Sequence, residues 1–137
     1  TNRLMFKMGI VDKENCSFCN HFSETCLHLF WECRYFDQFS RAVIKWLSEK
    51  FQNIFTNGKK KSYYFGNRGM QVSSNIIVLL AKRHIYRCNG LPSLNLFKSE
   101  RKNDILSEKC YASTYDTMIK FTRKWNNFAP FWRTEQP

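Results

Sequence analysis

A chain of 137 residues with 43% hydrophobic side chains holds enough apolar material for one well-filled core and too little for two. An aromatic content of 17%, led by thirteen Phe and four Trp, excludes a disordered polymer. The longest apolar run, Ile76 to Ala81, excludes a bilayer-spanning segment. Lys and Arg number 22 against 11 Asp and Glu, a formal charge of +11, which points to a polyanionic partner: RNA, DNA or an anionic membrane surface.

In chain order, residues 1–11 carry Leu4, Met5, Phe6, Met8 and Ile10, the pattern of a helix end or a strand. Residues 16–33 hold most of the Cys and His. From Phe36 to Phe51, the apolar positions Phe36, Phe39, Val43, Ile44, Trp46, Leu47 and Phe51 repeat at helical spacing and predict an amphipathic helix. Asn57 to Ser62 reads as a turn with a charge run, and Tyr63 to Phe65 as a short extended piece. Ser73, Ser74 and Asn75 are candidate N-caps for a buried helix over Ile76 to Cys88, ended by Asn89-Gly90-Leu91-Pro92. A last helix is predicted from Ser99 to Asn127, with Ile105, Tyr111, Ala112, Tyr115, Met118, Ile119 and Trp125 on one apolar arc. The expected fold is mainly α: a small zinc-stabilised N-terminal module, residues 1–35, packed on a bundle of three or four helices, residues 36–137, as one compact domain.

Six Cys in a secreted mini-protein would imply disulfides. The Lys-rich composition, the lack of a secretory or transit pattern at the N-terminus and a core-sized chain favour a reducing compartment, nucleus and cytoplasm. With no initiating Met at Thr1, the sequence reads as a fragment of something larger. In a reducing setting, clustered Cys predict metal or redox chemistry. Cys16 and Cys19 form a two-residue knuckle, and His28 and Cys33 follow at spacings that can close a tetrahedron around Zn2+. Three thiolates and one imidazole leave no position for a catalytic water, so the site reads as structural. His28 and Cys33 are five apart, about 140° on a regular α-helix, so the helix must loosen or end near Cys33. Rival readings are a redox pair, which lacks its usual βαβ setting, and Cys26 in place of His28. His21 reads as a solvated loop residue, Cys88 and Cys110 as buried apolar thiols, and His84 as an ordinary helix residue.

The stretch Cys16-Ser17-Phe18-Cys19 with Glu24-Thr25-Cys26-Leu27-His28-Leu29-Phe30-Trp31-Glu32-Cys33 resembles the CCHC zinc-binding region near the C-terminus of LINE-type non-LTR retrotransposon reverse transcriptases. Softer matches extend from Asn2-Arg3-Leu4 through Ile85-Tyr86, and the resemblance covers the chain to about Trp125. It implies a non-catalytic fragment of an RNA-directed DNA polymerase with endonuclease. Such a fragment would hold element RNA or target DNA during target-primed reverse transcription, beside the polymerase domain of the parent chain. Asp12, Asp37, Asp104 and Asp116 are isolated and give no paired polymerase signature. Neither a small-molecule substrate nor a membrane is expected.

Three basic clusters are candidate nucleic-acid contacts: Lys59, Lys60, Lys61 and Arg68 with Tyr63 and Tyr64; Lys82, Arg83 and Arg87; and Lys102, Lys109, Lys120, Arg123 and Lys124. Cations neutralise phosphates, and exposed rings stack on unpaired bases. Phe18 is placed either on a base or against Phe36 or Trp31. The alternative function is a protein-docking or self-association module, which the aromatic load favours.

Overall fold

The computed structural model describes residues 1–50, 72–88 and 90–133. They form six helices and no strand: α1 (Asn2–Lys7), α2 (Asp37–Lys50), α3 (Val72–Arg87), α4 (Leu94–Thr114), α5 (Met118–Trp125) and α6 (Ala129–Trp132). A π turn, His28–Glu32, precedes α2, and a 3-10 turn, Asn126–Phe128, joins α5 to α6. The expected class holds, a mainly helical molecule with a Cys/His cluster near its N-terminal end.

Helix α2 follows its amphipathic stripe. Phe39, Val43, Ile44, Trp46 and Leu47 are buried, while Arg41, Lys45 and Glu49 face solvent. Asp37 opens it, accepting from the Gln38 amide at 2.8 Å where the helix dipole favours a carboxylate. One buried polar residue lies on the inner face: Ser40 donates to the Phe30 carbonyl at 2.6 Å, tying α2 to the π turn.

Two predicted helices differ from their expected bounds. Helix α3 is already formed at Val72, so Ser73 and Ser74 are not caps; both lie inside it with no exposure. Burial in the core outweighs the local capping preference of serine there. The predicted helix over Ser99 to Asn127 is two. Helix α4 starts earlier, at Leu94, where the Ser93 hydroxyl caps the Leu96 amide. It stops at Thr114, with Asp116 in the left-handed region (φ 55°) and the Thr117 amide closing on the Ala112 carbonyl at 2.9 Å. The break splits the predicted apolar arc. Ile105, Ala112 and Trp125 are buried, whereas Tyr111, Tyr115 and Ile119 are exposed. Cys88 is half-buried and Cys110 exposed, so neither is the fully buried thiol expected.

The buried residues make one cluster reaching from Cys16 to Trp132. Its hub is Trp46, whose ring meets Phe97 of α4 at 6.4 Å, Phe128 at 5.6 Å and Phe131 of α6 at 5.7 Å, with the Lys98 ammonium 5.2 Å above it. Such edge and stacked contacts add to the burial of a large ring. The C-terminal turn is clasped by polar bonds. Trp132 donates from Nε1 to the Trp125 carbonyl at 2.9 Å, and the Trp132 carbonyl accepts from Lys109 Nζ at 2.8 Å. Trp125 Nε1 and Lys124 Nζ both donate to Glu108, at 3.0 and 2.8 Å.

Truncating the hub removes contacts to three separate segments at once. Trp46→Ala is expected to cost about 3–5 kcal/mol in denaturant unfolding, against less than about 0.5 kcal/mol for the exposed Lys45→Ala on the same helix. Equal midpoints for the two variants would show that the hub does not hold the bundle.

Candidate metal centre

The metal ligands are delivered by two short pieces of chain. The first is the knuckle. The Cys16 amide donates to the His21 carbonyl at 2.8 Å and the Asn20 amide to the Cys16 carbonyl at 2.9 Å, closing a tight loop. Asn20 sits at its corner with φ 59°, a conformation that asparagine tolerates better than most residues. The second piece is the π turn. Thr25 caps its start, its hydroxyl accepting from the His28 amide at 2.9 Å. The Cys33 amide then reaches back five residues to the His28 carbonyl at 2.6 Å. That bond stacks Cys33 over His28, where a regular α-helix would turn them apart, and it is the loosening that the five-residue spacing predicts.

The four donor groups meet. The ligand atoms of Cys16, Cys19, His28 and Cys33 all lie within 4.8 Å of one another, close enough to hold one metal ion. Cys16 Sγ and Cys33 Sγ are 4.0 Å apart, and Cys19 Sγ is 3.1 Å from His28 Nε2. Sulfurs bound at about 2.3 Å to a tetrahedral ion sit about 3.8 Å from each other, close to the Cys16–Cys33 separation. Cys26 is exposed and outside the cluster, so the fourth donor that the fold brings in is His28. His21 is exposed but not merely solvated: its ring stacks on His28 at 4.4 Å.

The electrostatics of the cluster suit a cation. Burial pushes the Cys33 thiol up to about 12 and raises Cys16, the neighbouring cysteines adding to both shifts. Burial also acts upward on Cys19, but hydrogen bonds from the His21 backbone and the other two cysteines, with the Arg34 charge, bring it below its ordinary value. His28 is lowered by burial and then by His21, which keeps its imidazole in the neutral, ligating form. Without an ion the buried thiols are held protonated; a divalent cation replaces those protons.

Sequence reasoning overlooked Glu24. It is 5% exposed, and its two carboxylate oxygens accept from the Asn2 amide at 2.9 Å and the Ser17 amide at 3.1 Å. It thereby straps α1 to the knuckle. Its position between a Cys pair and a capping Thr was visible, but Asn2, the partner that makes it a strap, is 22 residues away. Phe18 packs edge-on against Phe36 at 4.7 Å, the second of its two expected placements, with 42% of its surface left open.

The predicted nucleic-acid contacts are distributed less evenly. Lys59, Lys60, Lys61, Tyr63, Tyr64 and Arg68 lie outside the described residues. Lys82 is half-buried over the Phe30 ring at 5.7 Å, and desolvation lowers its pKa. Arg83 and Arg87 are exposed. In the third cluster Lys109 and Lys124 are occupied by Trp132 and Glu108, leaving Lys102, Lys120 and Arg123 open to solvent.

Loading the centre is expected to release between about two and three protons per ion near neutral pH, one each from Cys16 and Cys33 and the remainder from Cys19, readable as acidification in weak buffer. Cys33→Ser should abolish stoichiometric metal, and Cys26→Ser should leave it. Retention of metal by His28→Ala together with its loss in Cys26→Ser would overturn the ligand set.

No helix among the described residues is long and apolar enough to cross a membrane. Comparison of the chain with protein-family models, with curated proteins and with solved structures gives no match.

Proposed function

We propose that the ion is Zn2+ and that the chain is a non-catalytic nucleic-acid-binding module. Three thiolates with one imidazole form a donor set that suits zinc among biological cations, and four protein ligands fill its tetrahedral shell. The ion then supplies structure, and the binding surface lies elsewhere.

The observation that carries the reading is where the charge sits. Five of the 22 cationic residues and five of the 11 acidic ones fall in residues 1–41, leaving 17 against 6, the whole +11, in residues 42–137. A module whose metal end has no cationic excess and whose helical end is strongly basic is suited to a polyanion. The resemblance to LINE-type reverse transcriptases supplies the context: element RNA or target DNA held for a polymerase in the same parent chain. Lys102, Lys120, Arg123, Arg83 and Arg87 are the described cations best placed for phosphates, joined by Lys59, Lys60, Lys61 and Arg68 with Tyr63 and Tyr64 in that reading. Protein docking is a second reading, favoured by α1, which buries none of its residues, and by exposed Leu4, Phe6, Met8 and Ile10 around it.

For about five phosphates neutralised on a single strand, a fourfold rise in salt is expected to weaken binding roughly a hundredfold. Fluorescence anisotropy of the zinc-loaded chain with RNA and DNA strands measures this. No binding to any nucleic acid at low salt, with self-association that persists at high salt, would replace the proposal with the docking reading.

A further inference from the structure

Helices α3 and α4 leave a groove of about 820 Å³ at the end where they join, a size within the range of small-ligand sites. Leu80, Leu91 and Leu96 give it an apolar lining, and the last two are 73% and 55% exposed. Its polar side is divided. Glu100 and Asp104 are answered from within, by Arg101 at 3.4 and 3.1 Å and by His84 Nδ1 at 3.1 Å from Glu100. Arg83 and Arg87 line the groove too, but make no ion pair among the described residues. Two nitrogens of lining residues, His84 Nε2 and Arg101 Nε, are buried without a hydrogen-bond partner among the described residues.

We propose that this groove seats one unpaired nucleotide of a bound single strand, its phosphate between Arg83 and Arg87 and its base against the leucine lining. The proposal rests on the nucleic-acid reading and adds the place and the form of the ligand. Two guanidiniums without carboxylate partners among the described residues, beside an apolar surface, match a nucleotide, which is an anion joined to a flat ring. A paired base could not reach the leucines, because its faces are covered by stacking in the duplex. An acidic peptide satisfies the arginines as well, but the groove belongs to residues 42–137, which carry the entire +11, the electrostatics of a polyphosphate partner. The metal end, with no cationic excess, offers no comparable field.

The test uses the full zinc-loaded chain and a labelled oligouridylate of about 15 nucleotides, with a duplex of equal length beside it. The variants alter exposed side chains, and retained metal and helicity check their folding. Arg83→Gln with Arg87→Gln should lower affinity about 25-fold at about 0.1 M salt and flatten the salt slope by about 1.4, as two lost phosphate contacts require. The charge-matched pair Lys7→Gln with Lys45→Gln should leave the slope as it is. Leu91→Ser with Leu96→Ser should weaken the single strand about tenfold without changing the slope, and leave duplex binding alone. Equal loss in the two charge-matched pairs, or a duplex bound as tightly as the single strand, overturns the groove while nucleic-acid binding stands. No binding by the unsubstituted chain to either probe overturns both, and capture of an acidic peptide in their place assigns the groove to protein.

Discussion

The hydrogen bond from the Cys33 amide to the His28 carbonyl, 2.6 Å long and spanning five residues, is the contact on which the N-terminal half depends. It converts what would be an α-helical turn into a π turn and so puts an imidazole and a thiol on one side of the chain. Everything else in that half serves this register. Thr25 fixes where the turn begins, Ser40 accommodates the carbonyl of Phe30 from the neighbouring helix, and Glu24 holds the opposing knuckle in place through two amides. A wider turn costs regular hydrogen bonding, and π turns persist mostly where they position functional groups.

Because Ser40 and Phe36 both lie against this region, the metal centre and the bundle are one mechanical system. Phe36 is buried beside Phe18 of the knuckle, and its carbonyl accepts from the Ser40 amide at 3.0 Å. Helix α2 then carries Trp46 at its far end, where four aromatic rings from three parts of the chain converge. The same helix is thus anchored at one end to the ligand-bearing turn and at the other to the aromatic core.

Much of this was legible in residue order. Cys16, Cys19, His28 and Cys33 stand out because metal chemistry restricts both residue type and spacing, and α2 stands out because its stripe is long and regular. The break at Asp116 was hidden for the opposite reason. Apolar residues continue at helical spacing through Tyr115, Met118 and Ile119, and a single left-handed residue resets the phase without altering the pattern. Ser73 and Ser74 carry a capping preference that only the surrounding core overrules. Glu24 acts through Asn2, 22 residues away, and Ser17, 7 away, and Ser40 through a carbonyl 10 away, bonds that no periodicity or spacing announces.

The span of the Trp46 contacts also governs the order in which the molecule can be built during synthesis. The metal ligands fall within 18 successive residues, from Cys16 to Cys33, so their loop closes at small entropic cost as soon as that stretch leaves the ribosome. Trp46 must wait for Phe97, and then for Phe128 and Phe131, before its surroundings are complete. Until then a large indole stays in contact with water, the kind of transient apolar exposure that invites association between nascent chains.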